Sequence, residues 1–270
     1  MLEFPGPVRI VSDLHLAHPS SRIDMVESLR PLVAGARIVI FNGDTCEQSS
    51  RDWRAAAEEK LGELRALCQQ EGAEPYFVAG NHDPGISESG WLDLAAGRIF
   101  LTHGHMMCPG SAPWSHEFLC RKEEILRIVN ERENGEADLA YRWETVKTLT
   151  RSLQPTEGSR RGKKGQNYVL SAFWPPRRFL AITRSWLGVA KAADTFAGRF
   201  RPEASFVFFG HFHRPGVWNR GGRVICNTGA FMRGSRPLLG EFSDGWLSIR
   251  TITRRHDEFR IGERRGLFAV

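Results

Sequence analysis

The chain contains no apolar run approaching the roughly 18 residues that a membrane span requires. Its longest, such as residues 206–209, are strand-sized. It has no Cys-x-x-Cys pair. The five cysteines (Cys46, Cys68, Cys108, Cys120 and Cys226) are odd in number and scattered, which argues against a disulfide framework or a thiolate zinc site. They read as reduced, partly buried thiols. The opening Met1-Leu2-Glu3-Phe4-Pro5 lacks the basic and apolar regions of a secretory signal. Internal repeats and long low-complexity tracts are missing as well. A soluble, cytoplasmic protein is the expectation.

What is present is ordinary globular material. The 270 residues are 41% hydrophobic and 25% charged, enough to bury a sizeable core. The net charge of +6 points toward anionic partners, and it is localised. Ten basic residues between Arg151 and Arg199 face only Glu157 and Asp194, so that stretch carries +8 and the remainder is slightly acidic.

The first hundred residues alternate between strand and helix signals. Apolar runs at 8–11, 37–41, 76–79 and 98–101 read as strands, and helices are expected at 24–34 and 52–70. Asp52 is a candidate cap for the second helix, whose apolar positions are Trp53, Ala57, Leu61, Leu64 and Leu67. Residues 106–204 read mainly as helix, at 117–132, at 136–153 and beyond Pro175-Pro176, with a polar basic loop at 154–165. From about residue 205 the chain is strand-rich, with Ser243-Asp244-Gly245 as a hairpin signal. Such alternation argues for a layered α/β fold, whose ligands bind at the carboxyl ends of the strands.

Five short motifs sit at those ends. They are Asp13-Leu14-His15, Gly43-Asp44, Gly80-Asn81-His82-Asp83, His103-Gly104-His105 and Gly210-His211-Phe212-His213. Singly each is common. Together they offer oxygen and imidazole donors that suit divalent transition metals, with glycines where the backbone must approach closely.

In this order the motifs resemble those of the calcineurin-like metallophosphoesterases. The resemblance covers residues 8–105 and 205–231 and says little about the stretch between. It implies a four-layer α/β/β/α sandwich, one domain spanning 1–270 with a helical cap inserted at 106–204. It implies two divalent metal ions, with manganese first and iron or zinc also accommodated. Asp13, His15, Asp44 and His213 would hold one ion, and Asp44, Asn81, His103 and His211 the other, with Asp44 bridging. A metal-bridging hydroxide would then cleave a phosphomonoester, phosphodiester or pyrophosphate bond. His82 would contact the phosphate and protonate the leaving oxygen, with Asp83 orienting it. His105 reads as either a direct participant or an outer hydrogen-bond partner, and Glu47 as either a polar neighbour of the site or a solvated loop residue. Asn227-Thr228-Gly229 is similar to the family's Asn-Pro-Gly turn, with threonine in place of proline.

The chain length, the Asp13-Leu14-His15-Leu16 opening and the placement of the insertion are also similar to the branch that cleaves UDP-2,3-diacylglucosamine in lipid A synthesis. That branch carries arginine where this chain has His82. The expected partner is a phosphorylated small molecule or a nucleotide- or lipid-linked diphosphate. Nucleic acid ranks second. The aromatic, basic segment with Trp143, Phe173, Trp174, Phe179 and Trp186 either packs as core or makes peripheral contact with the inner membrane. A nuclease and a non-catalytic scaffold of the same fold are the competing functions.

Overall fold

The computed structural model describes residues 6–108, 121–132, 138–152 and 176–270. Two sheets lie face to face. In the first, β1 (Val8–Val11), β2 (Ile38–Asn42) and β3 (Glu74–Val78) run parallel. On the far side of β1 come β9 (Leu238–Ser243), β10 (Trp246–Arg255) and β11 (Glu258–Ala269), all antiparallel to their neighbours, so that the order is β11-β10-β9-β1-β2-β3. The second sheet contains β4 (Trp91–Leu94), β5 (Ile99–Thr102), β6 (Phe206–Phe209), β7 (Gly216–Arg220) and β8 (Arg223–Asn227), in the order β4-β5-β6-β8-β7. Here β5, β6 and β8 are the parallel strands.

The continuous apolar runs are strands buried on both faces. Val8, Ile10, Ile38 and Ile40 from the first sheet meet Ile99, Leu101, Phe206 and Phe208 from the second across the inter-sheet core. Burying a phenylalanine such as Phe208 contributes about 1.5–3 kcal/mol. At the end of β2, fully buried Asn42 donates through Nδ2 to the carbonyls of Thr102 (3.0 Å) and Phe208 (3.4 Å). That side chain ties the two sheets together directly beneath the strand ends that carry the motifs.

Helices cover both outer faces. On the first sheet lie α1 (Arg30–Val33) and α2 (Arg54–Gln70), with Leu61, Leu64 and Leu67 packed against Val39 and Phe41. The continuous helix expected at 24–34 is a 3-10 turn at Val26–Leu29 followed by the short α1, because Pro31 removes the N–H that an unbroken helix would use. Asp52 does not cap α2. Trp53 occupies the N-cap position without a side-chain bond, and the Ser50 carbonyl accepts the Arg54 N–H at 2.9 Å instead.

On the second sheet lie α4 (Leu139–Ser152) and α5 (Pro176–Phe200), preceded in sequence by α3 (Lys122–Arg132). Leu139, Trp143 and Val146 of α4, with Val189, Ala193 and Phe196 of α5, pack against Phe100, Val207, Phe209 and Ile225. Within 106–204, the described parts of α4 and α5 therefore form the fourth layer of the α/β/β/α sandwich. The basic loop at 154–165, with Phe173 and Trp174, lies outside the described residues, as does the Phe179 side chain. Among the described residues no helix is long and apolar enough to cross a membrane. The hairpin at Ser243-Asp244-Gly245 forms as expected, with Asp244 (φ 51°) and Gly245 (φ 76°) both left-handed between paired Ser243 and Trp246.

Candidate metal centre

The strands β1, β2, β3, β5 and β6 all point their carboxyl ends at one edge of the sandwich, and each delivers its motif there. The turns are tight enough that several donors adopt backbone conformations uncommon for residues with a side chain. Asp13 (φ 53°), His15 (φ 48°), Asp44 (φ 49°), His211 (φ 65°) and His213 (φ 51°) are all left-handed. Each such residue costs about 1–2 kcal/mol, which the surrounding sheets must offset. Two glycines permit the close approach. A Cβ on Gly80 would lie 2.2 Å from Asp44 Oδ1, and one on Gly210 would lie 1.9 Å from Asp13 Oδ2.

The donors converge. Asp13, His15 and His213 form one group able to hold an ion, and Asp44, His103 and His211 form a second. A third joins His15, Asp44 and His82. His103 Nε2 lies 3.4 Å from both Asp13 Oδ1 and Asp44 Oδ2, and His213 Nε2 lies 3.3 Å from Asp13 Oδ1. His15 Nε2 approaches His213 Nε2 at 3.0 Å. The Asn81 Oδ1 atom is buried and has no hydrogen-bond partner among the described residues, as suits an oxygen reserved for a cation. The residues present therefore fit a pair of divalent ions.

The electrostatics follow from this crowding. Burial works against charge on Asp13, but hydrogen bonds from His103 and His213 hold it well below the usual carboxylate range. Asp44 is likewise lowered, burial being outweighed by His103, His82 and His15. Burial pushes the His211 imidazole down to about 3, which keeps it neutral and available as a donor.

Glu47 proves to be central. Only 2% exposed, it accepts from His15 Nδ1 at 2.7 Å through Oε1 and from His82 Nδ1 at 2.8 Å through Oε2. One carboxylate thus fixes two imidazoles, each with its Nε2 turned toward the donor cluster. The sequence spacing put Glu47 three residues beyond Asp44 but did not reveal this double contact, which depends on the 80–83 loop folding back. That fold-back is visible in the Ser49 N–H and Oγ, which both donate to the His82 carbonyl at 2.9 and 2.8 Å.

Asp83 does not orient His82, as the sequence leads one to expect. Its carboxylate instead accepts four backbone N–H groups, from Asp44 (3.1 Å), Thr45 (2.6 Å), Cys46 (3.2 Å) and Gly80 (2.9 Å). Asp83 therefore joins two motif loops and belongs to the scaffold. Its replacement by alanine strands buried donors, and chemical denaturation of Asp83→Ala should show a loss of at least about 3 kcal/mol.

His82 is the most accessible of these groups, with a third of its side chain exposed. Burial opposes its cation, but Glu47 and Asp44 outweigh that and push it up to about 10. Because this value lies above the ordinary 6.5, the contact stabilises the metal-free fold fully below about pH 6.5 and is lost as the pH rises through about 10. In Glu47→Gln the His82 titration should move down toward the ordinary range, read by histidine NMR on the metal-free protein.

His18 lies three residues beyond His15 in the sequence. Its ring lies 6.0 Å from that of His15 and 5.0 Å from Trp53, and burial lowers it to about 4. His116 lies outside the described residues. Thr228, standing where the resemblance has proline, donates to the Phe209 carbonyl at 3.1 Å and meets Ser12 Oγ at 2.5 Å. The Asn227-Thr228-Gly229 turn is thus pinned to the loop that carries Asp13.

No curated protein sequence matches the chain. Among solved structures it is similar to a Vps29 double mutant from Entamoeba histolytica (16% identity, TM-score 0.50, 97% of this chain and 99% of that chain covered). Zinc-complexed wild-type Vps29 from the same organism is also similar (17% identity, TM-score 0.43, 96% and 97% covered). So is Yfce, a phosphoesterase from E. coli (15% identity, TM-score 0.41, 97% and 98% covered). At 16% identity the likeness to the double mutant concerns the fold alone. The calcineurin-like phosphoesterase family model matches residues 6–215, most of the chain and all five donor motifs. The chain belongs to the calcineurin-like phosphoesterase family.

Proposed function

We propose that this protein is a dinuclear metallophosphohydrolase. The observation that carries the reading is the position of Asp44, which belongs at once to a cluster with His103 and His211 and to one with His15 and His82. Asp13, His15, Asp44 and His213 would hold one cation, and Asp44, Asn81, His103 and His211 the other. Manganese is the preferred ion, and the same imidazole and oxygen donors accommodate iron or zinc. Two ions so held would acidify a water nucleophile and neutralise charge on the phosphoryl oxygens.

The chain's own groups do the rest. His82, with Nδ1 held by Glu47, presents Nε2–H toward the phosphoryl group and delivers a proton to the leaving oxygen. His82 and His213, a third and about a quarter exposed at their side chains, mark the side from which substrate enters. Asp83 keeps the 44–46 and 80–83 loops in register and takes no part in proton transfer.

The test is metal analysis combined with a substrate panel in manganese, spanning monoesters, cyclic and linear diesters and UDP-linked diphosphates. Two ions per chain and turnover of at least one class are expected. A protein that takes up no metal and hydrolyses none of them would instead be a scaffold. Turnover confined to the UDP-linked arm would assign it to the diacylglucosamine type, and turnover of nucleic-acid diesters would make it a nuclease.

A further inference from the structure

His105 is an imidazole at this edge that the proposed chemistry leaves without a task. It is 6% exposed, and its Nδ1 lies 3.2 Å from the Nδ1 of His103. Among the described residues its own Nε2 has no hydrogen-bond partner. We propose that His105 is a positioning residue that accepts a hydrogen bond from His103 Nδ1–H, and so turns the His103 Nε2 lone pair toward the second cation. This rests on the reading of His103 as a metal ligand.

Two imidazole nitrogens at this distance need one proton between them, so one ring donates and the other accepts. The choice is set on the far side of His103. Its Nε2 lies 3.4 Å from Asp13 Oδ1 and 3.4 Å from Asp44 Oδ2, which makes Nε2 the nitrogen that faces the ion. A ligating nitrogen must offer a lone pair, so the proton of the neutral ring belongs on Nδ1. Among the described residues His105 Nδ1 is the hydrogen-bond partner that Nδ1 has. His105 must then carry its own proton on Nε2.

That assignment also accounts for the surroundings of His105. The Trp143 ring meets it in a T-shaped contact at 5.8 Å. Metal-bound histidines usually donate their second N–H to a carboxylate or a carbonyl. Four carboxylates, Asp13, Asp44, Glu47 and Asp83, are already buried here, and a neutral imidazole accepts without adding a fifth charge.

The acceptor is braced by helix α4. Trp143 Nε1 donates to the Glu88 carbonyl at 2.9 Å, and buried Arg142 donates twice to the Met106 carbonyl at 3.0 Å. The 106–204 segment therefore acts on the metal site through His105 although it provides none of the proposed ligands.

Metal titration and NMR of the full-length protein test this. Wild type should bind two zinc ions. His105→Phe, which keeps the ring shape but cannot accept, should retain one at wild-type affinity and bind the other 10–100-fold more weakly. His105→Asn, whose amide oxygen accepts, should recover much of the loss. In zinc-loaded wild type, nitrogen-15 shifts should place the His105 proton on Nε2, a reading that needs no variant to fold. A proton on His105 Nδ1, or wild-type uptake of both ions by His105→Phe, overturns the inference and leaves the ligand assignment standing. Wild type that binds no second ion overturns both.

Discussion

Asp44→Asn loses metal and activity together. The substitution keeps size and shape but removes the negative charge shared by two donor clusters. It also replaces one carboxylate oxygen by an amide NH2, which cannot ligate. Asp44 Oδ1 already accepts the His82 backbone N–H at 2.8 Å, so the oxygen that remains free to face the ions is Oδ2, the atom 3.4 Å from His103 Nε2 and 3.8 Å from His15 Nε2. If the amide turns its oxygen inward, its NH2 opposes the His82 N–H, and if it turns outward, it offers hydrogens to the cations. Either orientation is costly. We expect kcat/KM on a chromogenic phosphoester to fall by roughly 10^3-fold or more, about 4 kcal/mol of transition-state stabilisation. Elemental analysis should show fewer than two ions per chain. Near-normal turnover by this variant would remove the basis for a shared carboxylate.

His82→Ala separates proton delivery from metal holding. The side chain is tethered by Glu47 and remains a third exposed, so its loss disturbs the buried donors little. Metal content should stay at the wild-type level. Turnover should drop by roughly 10^2–10^4-fold, the range typical of a lost general acid. The size of the drop should depend on the leaving group. An alkyl phosphoester needs a proton on its departing oxygen and should suffer most, whereas a nitrophenyl ester leaves as a stable anion and should suffer least. A uniform drop across both esters would mean that His82 only binds the phosphoryl group, and loss of an ion would make it a ligand through its proximity to His15 and Asp44.

The sequence made one half of this molecule plain and concealed the other for definable reasons. Strands β1, β2, β5, β6 and β8 are central in their sheets, and their apolar runs announce them. Three edge strands, β4, β7 and β11, escaped because nothing forces such a run, whereas the edge strand β3 is announced by residues 76–79. In β7 no residue is fully buried and the last two are exposed, and β11 mixes apolar residues with arginine and glutamate along an open edge. Strand β4, Trp91–Leu94, is only half buried and carries Asp93, which pairs with Arg201. The donor motifs were legible because each one directly follows an apolar run that reads as a strand, central for β1, β2, β5 and β6 and at the edge for β3. Glu47 and Asp83 were not, since their partners are set by how loops from different strands interleave. Spacing along the chain records a residue's neighbours in sequence, and, apart from the Gly80 contact to Asp83, both carboxylates are defined by neighbours 32–39 positions away.

The outer helices constrain any attempt to reduce this protein to a minimal catalyst. Every proposed ligand lies outside 106–204, which makes that segment a tempting target for excision. Removing it would strip Trp143, Val189 and Phe196 from Phe100, Val207, Phe209 and Ile225, and turn one wall of the sandwich into a greasy plane open to solvent. A trimmed version should precipitate or self-associate before its chemistry can be assayed. Miniaturisation would first require repainting that wall with polar residues.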